Sequence, residues 1–103
     1  MGGWTFLSDH AHVLIALARD PRSDEAAVAR TTGIDAATVA AVLRDLEADG
    51  YIRREREGST QFTFIDRAKP LRHRIERDHS VGELLNAVES SADALRTRVA
   101  AKD

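Results

Sequence analysis

The sequence has no cysteine, no long apolar run and no export signal, and each absence narrows the class of protein. Without cysteine, disulfide bonds, thiol catalysis and thiolate metal ligands are excluded, and a reducing compartment is favoured. No stretch of about 18 apolar residues occurs, so we expect no membrane span. The start of the chain, MGGWTFLSD, lacks the basic segment and apolar stretch of a secretion signal, which favours a cytoplasmic location.

Signatures of catalysis and of metal binding are also missing. We find no nucleophile motif, phosphate-binding loop or convincing carboxylate pair, and 103 residues build one small core rather than a cleft between domains. His10 and His12 are two residues apart and face different sides of a helix, while His73 and His79 lie in a basic connector. We therefore expect no enzyme activity, no metal and no cofactor, with His10 as a hydrogen-bonded core residue.

Charge is distributed unevenly, although the net charge is only −2. Residues 1–50 carry four basic and eight acidic side chains, residues 51–77 carry eight and four, and residues 78–103 carry three and five. The middle of the chain is thus a basic band between acidic flanks. Such a band fits a phosphate-binding surface, and it fits equally a solvated hairpin whose arginines and glutamates pair across strands.

The first half of the chain predicts three helices. Ser8 can cap a helix over residues 9–19, where apolar residues recur at helical spacing and Asp20-Pro21 ends the helix. Ser23 can cap a second helix over residues 24–31, and Gly33 supplies a tight turn. Asp35 can cap a third helix over residues 36–49, which Gly50 ends. The order helix, tight turn, helix predicts a helix-turn-helix.

The third helix has two different faces, and a hairpin follows it. Its predicted core face carries Val39, Val42, Leu43 and Leu46. Its opposite face carries Ala36, Ala37, Thr38, Ala40, Ala41 and Arg44. Two β-rich runs, residues 51–56 and 60–65, are joined by a glycine turn and predict a β-hairpin wing. A helix held clear of the body in this way can enter the major groove of DNA.

The last 24 residues predict a long helix. Ser80 and Glu83 have the spacing of a capping box. The apolar stripe that follows has heptad spacing over about 20 residues, and it comprises Val81, Leu84, Leu85, Val88, Ala92, Leu95 and Val99. The stripe can pack on its own domain or on a second copy of the chain. We favour a homodimer, because so small a domain has little core to receive so long a stripe.

Three segments resemble winged helix-turn-helix regulators of the MarR-like group, particularly small single-domain versions from high-GC bacteria. They are WTFLSDHAHVLIALARDP, TTGIDAATVAAVLRDLEADGYI and KPLRHRIERDHSVGELL. The resemblance implies a mainly α fold with a small β-hairpin, in which residues 1–79 form a winged helix-turn-helix DNA-binding domain and residues 80–103 a long C-terminal dimerisation helix. It implies double-stranded DNA as a partner and a homodimer, and it leaves open a small-molecule effector or a protein partner.

The exposed residue types suggest three kinds of DNA contact. The candidates for the major groove are Thr38, Ala41 and Arg44. The candidates in the wing are Arg54, Arg56, Ser59 and Gln61, with Arg53 as the alternative if the strand register shifts by one residue. Ser23 and Thr32 are the candidates for phosphate contacts at helix ends.

The chain departs from the resembling proteins at the residues that would contact DNA, in the third helix and at the wing tip. This departure favours a second hypothesis. Those proteins often have Glu-Arg where this chain has Ala36-Ala37, a glutamine where it has Ala40, and an arginine-rich wing tip where it has residues 58–61. Exposed small apolar surface suits protein contact. The alternative function is therefore a winged-helix interaction module, an adaptor or antirepressor, that does not bind DNA.

Overall fold

The computed structural model describes residues 3–88 of the chain, which divides into two units, Met1–Arg67 and Ala68–Asp103. The first unit contains helices α1 (Asp9–Arg19), α2 (Glu25–Thr32) and α3 (Ala36–Ala48), followed by strands β1 (Ile52–Glu57) and β2 (Thr60–Ile65). The second unit contains helix α4 (Val81–Ala87). The sequence-based division at residue 79, which separates a DNA-binding part from a dimerisation part, stays a prediction about function.

Side chains at the helix starts fix where the helices of the first unit begin. Ser8 caps α1 by accepting a hydrogen bond from the Ala11 amide, and Asp35 caps α3 in the same way through the Thr38 amide, as the sequence predicted. The prediction for α2 was wrong by one residue. Asp24, not Ser23, accepts from the Ala27 amide, because a carboxylate meets the partial positive charge of a helix N-terminus better than a hydroxyl does.

Helices α2 and α3 form the predicted helix-turn-helix. Three residues separate them, and the helix direction changes by 112° between them, within the range typical of this motif. Gly33 makes the turn possible because its φ of +76° lies in the left-handed region, which residues with a Cβ rarely adopt.

The wing is a two-stranded antiparallel hairpin. Ile52 pairs with Ile65 at its base and Glu57 with Thr60 at its tip. The two-residue loop begins with Gly58 at a φ of +62° and continues with Ser59, which has no positive φ. Glycine first in such a loop is typical of a type II′ turn, whose twist matches that of the strands.

The predicted apolar faces form the core of the first unit. Side chains from all three helices and the base of the hairpin are buried, whereas His10, which we expected in the core, is exposed and hydrogen-bonded to Asp45. The buried apolar residues are Ala11, Val13, Leu14, Ala16, Leu17, Val28, Val39, Val42, Leu43, Leu46, Tyr51 and Ile52.

In the second unit, a short antiparallel bridge leads into α4. Pro70 and Ser80 form this bridge, flanked by backbone hydrogen bonds from Leu71 to His79 and from Val81 to Lys69. The predicted capping box is present: Glu83 donates its amide to Ser80, and its carboxylate accepts the Ser80 amide.

The predicted long C-terminal helix is not supported. Helix α4 ends at Ala87, because Val88 adopts non-helical backbone angles. Ala92, Leu95 and Val99, the distal part of the predicted stripe, lie outside the described residues. Val81 and Leu85 are buried in a single copy of the chain, while Leu84 and Val88 are half-buried.

No single helix of residues 3–88 is long and apolar enough to cross a membrane, and α2 with α3 reaches that length only as a bent pair. Within the same residues, no three His, Asp or Glu side chains are grouped so that they could hold a metal ion.

Candidate nucleic-acid interface

Helix α3 presents a continuous exposed face opposite the core. Val39, Val42, Leu43 and Leu46 hold its inner face in the core. Alanines and a single arginine form the outer face, because residues four, seven and eleven positions apart fall on one side of a helix. The exposed residues there are Ala36, Ala37, Ala41, Arg44 and Ala48, with half-buried Ala40 and exposed Asp45 at its two borders.

Arg44 is the one basic residue of α3. Its side chain is exposed and makes no hydrogen bond or ion pair within residues 3–88. A guanidinium offers five N–H donors in a fixed fork, which matches two acceptors on a base edge or a phosphate. Arg44 is therefore available to an external ligand.

Thr38 is committed to the start of the helix. Its hydroxyl donates to one carboxylate oxygen of Asp35 at 2.7 Å, and its amide donates to the other at 3.1 Å. These two hydrogen bonds lower the pKa of Asp35, with the hydroxyl contributing most. Thr38 thus fixes the N-terminus of α3, and its hydroxyl can still accept, but does not have a free proton to donate.

Thr32 and Ser23 are the two residues predicted to contact phosphates at helix ends. They differ in whether the hydroxyl is already hydrogen-bonded within the protein. The Thr32 hydroxyl donates to the Val28 carbonyl at 2.8 Å and accepts from the Ile34 amide at 3.2 Å, so it stabilises the turn after α2. Ser23 is half-buried just before α2, and its amide donates to the Asp20 carbonyl. Within residues 3–88, its hydroxyl has no hydrogen-bond partner.

Arg54 ties the wing to the helix-turn-helix. Its guanidinium donates to the Glu47 carboxylate of α3 at 2.7 Å and lies 3.7 Å from Glu25 of α2. Only 22% of the side chain is exposed. The hydrogen bond raises the pKa of Arg54 and lowers that of Glu47. We expected Arg54 on the DNA surface, and the geometry instead places it in an internal ion-pair network.

Arg53 lies on the opposite face of the hairpin. Its guanidinium stacks over the Phe64 ring, 4.3 Å from the ring centroid, and pairs with Glu55. Phe62 lies beside Phe64, with the ring centroids 4.8 Å apart. The register pairs Arg54 with buried Thr63 and Arg53 with half-exposed Phe64, so Arg53 is on the outer side.

The tip of the wing carries the remaining candidates. Arg56 is exposed and has one long hydrogen bond, 3.5 Å, to the Gln61 side chain across the strands. Ser59 is exposed in the turn and Gln61 is half-buried. Because such a long bond is weak, Arg56 is the wing arginine most available to a phosphate.

The structure thus separates residues that looked equivalent in the sequence. Three arginines of β1 read as one basic run, yet two are already paired with glutamates. Sequence reasoning missed Glu25 and Glu47 as the partners of Arg54. It also missed the His10–Asp45 contact of 2.8 Å between α1 and α3. No local signal identifies these pairs, because each joins two different helices or strands whose packing decides which side chains meet.

An exposed helix at the end of a helix-turn-helix, followed by a β-hairpin wing, defines a winged helix-turn-helix protein. A model of the MarR family matches residues 5–60, just over half of the chain, from the lead-in of α1 to the wing turn. The chain therefore belongs to the MarR family, as its sequence motifs suggested, and this membership indicates a transcription regulator. Among curated proteins, no sequence gives a significant match.

Proposed function

We propose that this chain is a sequence-specific DNA-binding transcriptional regulator that acts as a homodimer. Helix α3 enters the major groove, and the wing contacts the flanking backbone or minor groove. The observation that carries the proposal is the exposed outer face of α3, with Arg44 unpaired within residues 3–88, at the end of a helix-turn-helix bent by 112°. This is the geometry with which a helix reaches base edges.

The proposed contacts are of two kinds: contacts with bases, which read the sequence, and contacts with phosphates, which position the protein on the DNA. Arg44, Ala41 and the accepting hydroxyl of Thr38 face the bases, and Arg56 with Ser59 and Gln61 contacts phosphates from the wing tip. Ser23 contributes its hydroxyl before α2, and Arg53 adds charge from the outer face of the wing. Two copies related by a two-fold axis place two α3 helices about one helical turn of DNA apart, so the operator is palindromic.

Selection from a random duplex library tests this proposal, followed by gel retardation of the selected duplex. At about 50 mM salt, where phosphate contacts are strongest, the chain should retard the selected duplex. Arg44→Ala should weaken binding by about 1–3 kcal/mol and relax the preference at one base pair. Arg19→Ala, which removes an exposed arginine of α1, is the control. If no duplex is retarded at this salt concentration, the proposal is wrong.

A second candidate function is a protein-interaction module that uses the same helix. Two observations favour it: the outer face of α3 is mostly alanine, and Arg53 and Arg54 are already paired within the chain. In a pull-down, Ala41→Glu and Ala40→Glu should release a stoichiometric protein partner, while Ala18→Glu on α1 should retain it. Retention by all three variants would exclude docking through α3.

A further inference from the structure

We infer that α3 reads its operator mainly through thymine methyl groups, with one guanine read by Arg44. This inference rests on the proposed DNA-binding function and specifies the base sequence that the function requires. It concerns the chemistry of the exposed α3 face and of the polar side chains that border it.

Four side chains occupy the centre of the exposed face. Ala37, Ala41, Arg44 and Ala48 are spaced i, i+4, i+7 and i+11 and are all exposed. They extend about 16 Å along the helix axis, at about 1.5 Å per residue. Since N-terminal residues of a recognition helix come closest to the bases, Ala37, Ala41 and Arg44 are the principal readers.

The polar residues beside this central row are engaged within the protein. The Thr38 hydroxyl donates to Asp35 at 2.7 Å. On the same side of the row, the Asp45 carboxylate is hydrogen-bonded to His10 Nε2 at 2.8 Å. On the other flank, Glu47 accepts from Arg54 at 2.7 Å. Each internal contact lowers the availability of a group that would otherwise read adenine or cytosine. Arg44 is left as the one donor free for base recognition in α3.

The chemistry of base edges then selects the operator. An alanine side chain is a methyl group and makes no hydrogen bond, and thymine is the base that offers an apolar methyl in the major groove. An arginine fork matches the N7 and O6 acceptors of guanine. We therefore expect each half-site to contain one guanine with thymines beside it, on the bases opposite Ala37 and Ala41.

The decisive experiment changes the DNA and leaves the protein intact. In the selected duplex, each thymine of one half-site is replaced by deoxyuridine, which keeps the O4 acceptor and loses only the methyl. Removing a buried methyl costs about 0.8 kcal/mol, so binding should weaken about threefold to fourfold at each contacted thymine. The same replacement outside the half-sites is the control and should leave affinity unchanged.

The guanine contact has a matched test. Replacing the half-site guanine by 7-deazaguanine removes the N7 acceptor and should weaken binding of the unmodified chain by about fivefold or more. Arg44→Ala should bind the two duplexes equally, because the fork that uses N7 is absent. Likewise, Ala41→Gly should lose its sensitivity to uracil at one thymine, with Ala18→Gly as the control for the helix-weakening effect of glycine.

The outcomes separate this inference from the proposed function. If the chain binds a selected duplex and uracil has no effect at any position, methyl reading is wrong and DNA binding stands. If 7-deazaguanine weakens Arg44→Ala as much as the unmodified chain, the guanine assignment is wrong. If no duplex is bound, the proposed function fails and this inference fails with it.

Discussion

Thr63 has a buried hydroxyl without a partner. Its side chain is 2% exposed, and within residues 3–88 the Oγ1 atom forms no hydrogen bond, although the Thr63 amide donates to the Pro21 carbonyl at 2.9 Å. An unsatisfied buried polar group costs free energy, because it loses its bond to water and gains none. The hydroxyl therefore destabilises the packing of β2 against the loop between α1 and α2.

Thr63→Val should raise the free energy of unfolding by about 1 kcal/mol, because it removes the unsatisfied hydroxyl and keeps a β-branched shape. Urea denaturation followed by circular dichroism measures the change. Thr60→Val, at an exposed position of the same strand, is the control and should change stability little. Equal effects of the two substitutions would mean that the buried hydroxyl is not the cause.

A second prediction at this scale concerns pH. The Nδ1 atom of His79 lies 2.7 Å from the Glu83 carboxylate, and this hydrogen bond raises the pKa of His79 above 6.5. The same contact, with the Ser80 amide, lowers the pKa of Glu83 below 4.5. The stabilisation from His79 is complete below pH 6.5 and is lost as pH rises through its raised pKa. The stabilisation from Glu83 is complete above pH 4.5 and is lost as pH falls through its lowered pKa.

Glu83→Gln should therefore lower the pKa of His79, measured by NMR titration of the imidazole protons. Asp78→Asn should lower it less, because Asp78 acts on His79 only through charge and is the weakest contributor. If Asp78→Asn has the larger effect, the hydrogen bond to Glu83 is not the main cause of the raised pKa.

At the scale of elements, the ion-pair network of Arg54 determines how the wing is held. Arg54 joins β1 to α3 and α2 through Glu47 and Glu25. Among the residues that the structure describes, Arg56 near the tip has only a long hydrogen bond to Gln61. The two arginines are two residues apart on one face of the same strand, so one is an anchor and the other a candidate phosphate contact.

Arg54→Ala and Arg56→Ala should thus behave differently. Arg54→Ala should lower the free energy of unfolding by about 1 kcal/mol, since it removes a charged, partly buried hydrogen bond. Arg56→Ala should leave stability unchanged and reduce the salt dependence of DNA binding by about one phosphate contact. Denaturant titration and retardation at several salt concentrations measure the two effects. Equal salt dependence in the two variants would contradict this assignment.

These helices and strands also show which features of the fold and of the candidate site could be predicted from the sequence. Local signals predicted the helices well: Ser8, Asp35 and the Ser80–Glu83 box act on amides within three residues, and Gly33 and Gly50 have the positive φ expected of helix ends. The roles of Arg53 and Arg54 could not be predicted in this way. The alternation of a strand defines two faces, but which face meets the body depends on packing against distant helices.

At the scale of the whole molecule, the balance of charges determines how strongly one copy of the chain is attracted to DNA phosphates. The basic residues of the wing are partly neutralised by Glu25, Glu47 and Glu55, and the net charge is −2. Attraction to phosphates is therefore modest for one copy. A dimer doubles the number of contacts on one duplex, and the second set forms at a high effective concentration. In the proposed function, DNA affinity therefore depends on dimerisation.

The predicted heptad stripe supplies the test of dimerisation. Val81 and Leu85 are buried in one copy, so substituting them would damage the fold. We therefore choose Leu84, which is half-buried, and Leu95, which lies beyond the described residues. In the proposed homodimer, with the stripe as its contact, Leu84→Asp with Leu95→Asp should reduce the mass in light scattering from twice the 11.3 kDa of one chain to a single copy, because carboxylates are costly to bury in an apolar contact. Ala87→Asp, at an exposed position of α4 outside the stripe, should leave the dimer intact. An unchanged mass in the double variant would show that the C-terminal stripe is not the dimer contact, and a monomer in Ala87→Asp would place that contact on another face of α4.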